Sequence, residues 1–187
     1  LLLKLKYMSD LLARQLTYAE AYDIRFEEAA LAEAAQLQES APLIGLYYRI
    51  SRLFLDGCPE EDFRIALESF YDLAPQLPVP EQAFIVDKLT SLANAGAKKN
   101  RQFYLDALFG LMQYGESRRL FIHNGVISDG HFLNACVVGA HSGEYEWADR
   151  FIENNRRYLP ASVAEGAYTL AKARLLFDRK EYLAAHF

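Results

Sequence analysis

Cysteine is scarce in this sequence: Cys58 and Cys136 are the only two in 187 residues. Two thiols so far apart in the chain cannot build the dense disulfide framework of a small secreted domain. The composition therefore excludes a disulfide-stabilised scaffold. Because unpaired thiols are kept reduced inside cells, we expect a reducing compartment and a cytoplasmic location.

Long hydrophobic runs are missing as well. The longest apolar stretch, residues 132–140, contains Asn134 and falls far short of the roughly 20 residues that cross a membrane. We therefore predict no membrane span. The chain starts at Leu1 without an initiator methionine and stops at Phe187 within what reads as the opening turns of a helix, so we expect a fragment of a longer protein.

The motifs of common catalytic sites do not occur. The sequence has no Gly-x-Ser-x-Gly turn, no phosphate-binding loop ending in Gly-Lys-Ser or Gly-Lys-Thr, no His-Glu-x-x-His and no Cys-x-x-Cys. Ser128, Asp129 and His131 lie close together, but a serine just before an apolar helix is a typical N-cap. We therefore predict that the protein is not an enzyme and holds no cofactor.

Histidine and cysteine residues in the second half could suggest a metal site. His131, Cys136 and His141 follow one another in steps of five residues, which advance about 500° around a helix and point the side chains to different sides. Ligands on one helix face need a spacing of three or four residues. We expect no metal site, and we interpret Cys136 as a small packing residue.

The chain is acidic overall, with a net charge of −5, which disfavours a partner whose phosphates need neutralising. Basic residues are concentrated in the second half, where residues 98–187 contain 12 Lys and Arg against 10 Asp and Glu. The basic clusters at 98–101, 118–119 and 156–157 are separated by acidic residues, so no continuous basic track is indicated. A helical-repeat nucleic-acid binder is therefore an alternative function and not the expected one.

An aromatic residue followed three positions later by alanine recurs along the chain every 37 or 41 residues, which is in the range of paired-helix repeats. Residues three apart share a helix face, so the alanine would let a neighbouring helix approach while the ring fills the space beside it. The five copies are Phe26/Ala29, Phe63/Ala66, Tyr104/Ala107, Tyr145/Ala148 and Tyr182/Ala185.

Apolar residues recur at spacings of three and four along most of the chain, with glycine and proline between the segments. No stretch of comparable length alternates as a half-buried strand would. We predict an all-α fold of about five antiparallel helix pairs, stacked as a solenoid in one domain over residues 1–187. The clearest helices are expected at 42–56, 60–73, 81–94, 102–114, 131–142, 144–159 and 161–178.

One unit of the pattern carries a more complete signature. It runs from Phe132 to Pro160 and includes Cys136, Gly143, Tyr145, Ala148 and Ile152. This unit resembles a tetratricopeptide repeat, and the other units match that signature less completely. The resemblance implies a right-handed, tetratricopeptide-like superhelix that serves as a protein-interaction scaffold with a concave groove.

The resemblance also implies which side chains face the groove. Position matching places Asn134 and His141 from one unit and Arg174 from the next unit on the concave side. Asparagine can bond a peptide amide, and arginine offers a planar fork to a carboxylate. We expect these three residues to bind a protein or peptide partner. A regulatory or sensor domain of a larger protein is a further alternative.

Overall fold

A computed structural model describes residues 1–18, 22–24, 27–97 and 101–182 of the chain. None of the helices in this part of the chain combines the length and the apolar character that a membrane span requires. The prediction of an all-α fold is confirmed. The helices are α1 (Leu2–Tyr18), α2 (Glu27–Leu37), α3 (Pro42–Leu55), α4 (Glu60–Leu73), α5 (Val79–Gly96), α6 (Arg101–Ser117), α7 (Asp129–His141), α8 (Tyr145–Asn155) and α9 (Ala164–Asp178).

Helix starts follow local signals in the sequence. The first turn of α4 contains Glu60, Glu61 and Asp62, where the positive end of the helix dipole favours negative charge. Ser128 caps α7, because its hydroxyl accepts the backbone N–H of His131 at 3.1 Å. The interpretation of Ser128 as a capping residue is therefore confirmed.

A short hairpin adds a feature that the sequence analysis does not predict. Strands β1 (Ile122–His123) and β2 (Val126–Ile127) pair antiparallel. The connecting residues Asn124 and Gly125 have φ of 52° and 80°. Positive φ at both positions is the geometry of a type I′ turn, which Asn-Gly favours. The Asn-Gly turn signal is present in the sequence. However, strands of two residues are too short to show the alternating apolar and polar pattern that predicts a strand.

The chain divides into two compact units, Leu1–Tyr104 and Leu105–Phe187, with the boundary inside α6. A single domain over residues 1–187 stays a prediction. In the first unit α3 is the central helix, since it contacts α1, α2, α4 and α5. Its buried face includes Tyr47 and Ile50, which are closed off from water.

Two ion pairs join α1 to α5 within the first unit. The Nζ of Lys6 on α1 lies 2.5 Å from Oε2 of Glu81, and the Nζ of Lys88 on α5 lies 2.7 Å from Oδ1 of Asp10. The hydroxyl of Tyr47 on α3 donates to the other carboxylate oxygen of Glu81 at 2.6 Å. Helix α1 therefore contacts a helix two pairs further along the chain, whereas a regular repeat stack has contacts between neighbouring units only.

These contacts shift the pKa of two carboxyl groups. Burial alone would raise the pKa of Asp10, but neighbouring cations, Lys88 foremost, outweigh burial and hold that pKa below its usual value. Burial would also raise the pKa of Glu81, whereas Lys6 and the Tyr47 hydroxyl lower it overall. Both carboxylates therefore stabilise the fold whenever they are ionised.

We expect the protein to lose stability in acid for this reason. The contribution of Asp10 and Glu81 is present above about pH 4, the ordinary pKa of such groups in an unfolded chain, and it is lost as the pH falls through the lowered folded-state values. Urea midpoints measured from about pH 5 downward should fall more steeply in the wild-type protein than in an Asp10→Asn variant. Parallel pH profiles for the two proteins would contradict this account.

The recurring alanines do not share one environment. Ala66, Ala107 and Ala148 are buried, as the packing argument predicts. Ala29 is exposed, so the prediction that it forms a tight helix contact is wrong. The reason is the rotation of α2 about its axis, which turns the next residue, Ala30, into the core.

Two further members of the pattern, Phe26 and Ala185, lie outside the described residues. Tyr182 is exposed and contacts Phe177, with 5.4 Å between the ring centroids. Among the copies whose alanine the structure describes, the aromatic and alanine pattern therefore marks a buried alanine in the three middle ones.

In the second unit α7 contacts both α8 and α9, and α8 and α9 also contact each other. The joint between α7 and α8 is tight at Gly139, where an added Cβ would lie 2.8 Å from the ring of Trp147 and 3.1 Å from the Cβ of Ala148. Trp147 and Ala148 are buried, and Trp147 stacks on Phe151 with 5.2 Å between ring centroids. Small residues therefore let these two helices approach closely.

Candidate functional site

A polar cluster on α7 and α9 contains two of the three side chains that the sequence analysis assigns to partner binding. Arg174 on α9 donates from Nη2 to Nε2 of His141, the last residue of α7, at 2.9 Å. Its Nε also donates to the carboxylate of Asp178, one turn further along α9, at 2.9 Å. We call the surface that carries Asn134, His141, Arg174 and Asp178 the α7–α9 face.

The bond to Arg174 defines the hydrogen-bonding role of Nε2 in His141. A guanidinium group has only donors, so Nε2 of His141 is the acceptor in this bond. The nearest oxygen of Asp178 lies 3.9 Å from Nε2, beyond hydrogen-bonding distance.

Asp178 holds the cluster in place. Its carboxylate pairs with Arg174, and its backbone carbonyl accepts the hydroxyl of Tyr145, the first residue of α8, at 3.2 Å. The guanidinium of Arg179 lies over the ring of Tyr145, 5.6 Å from its centroid. His141 on α7 and Asp178 on α9 thus orient the Arg174 guanidinium before any partner binds, which reduces the entropy lost on binding.

Asn134 lies on the same face but apart from this cluster. It is exposed on α7, seven residues before His141. Seven residues are nearly two turns, so the two side chains point to the same side of the helix about 10 Å apart. The structure therefore brings His141 and Arg174 together and leaves Asn134 as a separate polar group further along α7.

Apolar side chains lie next to Arg174, and the sequence analysis did not single them out. Leu170 is one turn before Arg174 and is 57% exposed, while Phe177 is one turn after it and is 56% exposed. Spacings of four and three residues place all three on one stripe of α9. That spacing is visible in the sequence, but it does not reveal that the stripe faces water.

The residues weighed as metal ligands have structural roles. Cys136 is buried, its thiol donates to the carbonyl of Phe132 at 3.0 Å, and burial raises the pKa of the thiol to about 12. His131 contacts Ser128, with 2.8 Å between Nδ1 and the hydroxyl oxygen. Within the part of the chain that the structure describes, no three His, Cys, Asp or Glu side chains form a group that could hold a metal ion.

Several basic side chains of α8 and α9 are paired with acids. The Nζ of Lys172 lies 2.6 Å from a carboxylate oxygen of Asp149 and 2.6 Å from one of Glu153. Arg156 lies 2.5 Å from Glu165. Cations that are already neutralised contribute little to binding a phosphate backbone.

The α7–α9 face presents oriented hydrogen-bond donors and a carboxylate beside exposed apolar side chains. Such a mixture is typical of a surface that binds a polypeptide. No protein-family model, no curated protein and no solved structure matches this chain.

Proposed function

We propose that this protein is an interaction scaffold that binds a peptide or protein partner across the α7–α9 face and performs no chemistry itself. The contact between Arg174 and His141 carries the proposal. It joins two helices of the second unit and orients a guanidinium whose side chain is still 44% exposed. An oriented and accessible arginine is the kind of residue that dominates protein interfaces.

The proposal includes a tetratricopeptide-like, right-handed α-solenoid for the helices around this face. His141 lies at the end of α7 and Arg174 lies in the last turns of α9, and the two residues are 33 positions apart. A separation close to the family period of about 34 residues is expected of similar positions in the first helices of successive repeats. The contacts of α7 with both α8 and α9 support the same interpretation.

The side chains of the face indicate the chemistry of the partner. Arg174 donates two of its five N–H groups within the cluster, so three can reach a carboxylate. Asn134 can bond both groups of a peptide amide, and Leu170 and Phe177 can cover an apolar side chain. The best-fitting partner is an extended peptide in which a carboxylate lies next to an apolar residue.

Both cysteines of the chain are free. Free thiols agree with a reducing compartment, so we propose that the scaffold acts in the cytoplasm.

Selection from a random-peptide display library on the immobilised protein tests this function. Peptides should be enriched that carry an acidic residue or a free carboxyl terminus beside an apolar residue. Fluorescence polarisation with such a peptide should show a Kd about tenfold higher for Arg174→Ala, because a charge-assisted hydrogen bond contributes about 1.5–3 kcal/mol. Asn134→Ala should weaken binding less.

Arg64 offers a matched control. Its side chain is 45% exposed, and it pairs with Glu60 four residues away, as Arg174 pairs with Asp178. Arg64→Ala should therefore leave the Kd unchanged. Both variants should stay folded, since exposed pairs at this spacing contribute about 0.5 kcal/mol or less. Equal losses of affinity in the two variants, or binding of RNA alone with steep salt dependence, would overturn the proposal.

A further inference from the structure

A separate cleft of about 390 Å³ opens on the second unit near the end of α6. Its lining comes from the end of α6, the residues between α6 and β1, β1 itself, the end of α8 and the 3-10 turn that follows α8. It shares no residue with the α7–α9 face, and its volume is in the range of small-molecule sites. The polar residues that line it are Glu116, Arg119, Glu153, Asn154, Asn155, Arg157 and Tyr158.

Arg119 occupies a position that usually belongs to glycine. The N–H of Leu120 bonds to the carbonyl of Gly115 at 2.8 Å, and the N–H of Arg119 bonds to the carbonyl of Glu116 at 3.0 Å. This is the Schellman pattern that ends a helix, and the φ of 56° at Arg119 is left-handed. At the end of α7 the equivalent residue is Gly143, with φ of 78°. An arginine is thus held where glycine would be less strained.

Two cationic side chains of the cleft are not paired with an acid. Within the described part of the chain, neither Arg119 nor Arg157 has a carboxylate partner, although Arg157 lies over the ring of Tyr158 at 4.8 Å from its centroid. Glu153 is already paired with Lys172 at 2.6 Å. Two guanidinium groups that lack a carboxylate partner therefore line the cleft, together with the carboxyl groups of Glu116 and Glu153.

Glu116 and Asn154 supply the other polar groups of the cleft. Burial raises the pKa of Glu116 above its usual value, while Trp147, Arg150 and Asn155 act in the opposite direction. The carboxyl group of Glu116 can bond a hydroxyl group of a ligand, as can the amide of Asn154.

We propose that this cleft binds a small organic phosphate, with Arg119 and Arg157 on the phosphoryl oxygens and Asn154 and Glu116 on hydroxyl groups of the ligand. Arginine forks match the oxygens of a phosphate group in both charge and geometry. The site goes beyond the peptide-binding function and does not depend on it.

Calorimetric titration of the full chain tests the site, with glucose 6-phosphate, inorganic phosphate and glucose as probes. Glucose 6-phosphate should bind with a submillimolar Kd, inorganic phosphate more weakly, and glucose not detectably. Arg119→Gly should lower the affinity by about tenfold or more and also raise the melting temperature by about 3 °C, since glycine relieves the left-handed strain. A more stable variant that binds less well cannot owe the loss to misfolding.

Lys180 provides the matched control. It follows α9 at the equivalent position, with φ of 65°, and its N–H bonds to the carbonyl of Phe177 at 2.9 Å. Lys180→Gly should raise the melting temperature and leave phosphate affinity unchanged, whereas Arg157→Ala should lower affinity with no gain in stability. Unchanged affinity in Arg119→Gly, no binding of either phosphate probe, or binding of an RNA oligonucleotide alone would overturn the proposal.

Discussion

Replacing Asp10 with alanine is expected to lower the free energy of unfolding by about 3 kcal/mol. Asp10 pairs with Lys88, which is only 4% exposed although it is charged. Removing one partner of a buried ion pair leaves a charge that water cannot reach, and such changes cost about 3–5 kcal/mol. Asp87 contacts the same Nζ at 3.0 Å, so we expect the lower end of this range.

Urea unfolding of two further variants separates the pair from a general packing effect. Asp87→Ala should cost less than about 1 kcal/mol, because its carboxylate is half exposed and Asp10 still neutralises Lys88. The double variant Asp10→Ala with Lys88→Met should regain most of the loss, since it removes the stranded charge and keeps an apolar stem of similar volume. If the losses in the free energy of unfolding from the two changes simply added in the double variant, the burial of the Lys88 charge would not depend on Asp10.

Replacing Ala148 with leucine is expected to cost about 1–3 kcal/mol. Ala148 has no exposed surface, and its Cβ faces Gly139 on α7, where an added carbon would already lie 3.1 Å away. Three more carbons at this position have no space unless α8 moves away from α7. The movement would also displace Trp147, which closes the other side of the same contact.

Ala29→Leu is the control for this prediction. Ala29 stands at the same place in the aromatic and alanine pattern, but its side chain is exposed on α2. The same three carbons should therefore change the free energy of unfolding by less than about 0.5 kcal/mol. Comparable destabilisation in both variants, measured by thermal and urea unfolding, would mean that Ala148 does not lie at a tight helix contact.

Helix positions were predictable because their signals are local. The pattern from 42 to 56 predicted the helix that the structure shows as Pro42–Leu55. The segment predicted from 144 to 159 ends as a helix at Asn155 and continues as a 3-10 turn to Tyr158. Pro160 has no backbone N–H to donate in the next turn, so the end of this segment tightens into a 3-10 turn. The spacing of the apolar residues alone does not show this change.

The candidate site was predictable only in part. Matching of repeat positions predicted that Asn134, His141 and Arg174 face one groove, and in the structure the side chains of His141 and Arg174 are in contact. It did not identify Asp178 or Tyr145, because their role depends on how α8 and α9 pack together. The strained position of Arg119 was also beyond sequence reasoning, since arginine does not suggest a left-handed backbone.

The all-helical character of this chain follows from its amino acids alone, because helix formation depends on neighbours within about four residues. Which helices contact each other is decided by the packing of the whole chain. The ion pairs that join α1 to α5 link residues 75 and 78 positions apart. In the sequence Lys88 looks like any solvated lysine, and Ala29 looks like Ala148. Only the folded arrangement decides which of them is buried, since burial depends on the surfaces that distant segments bring together.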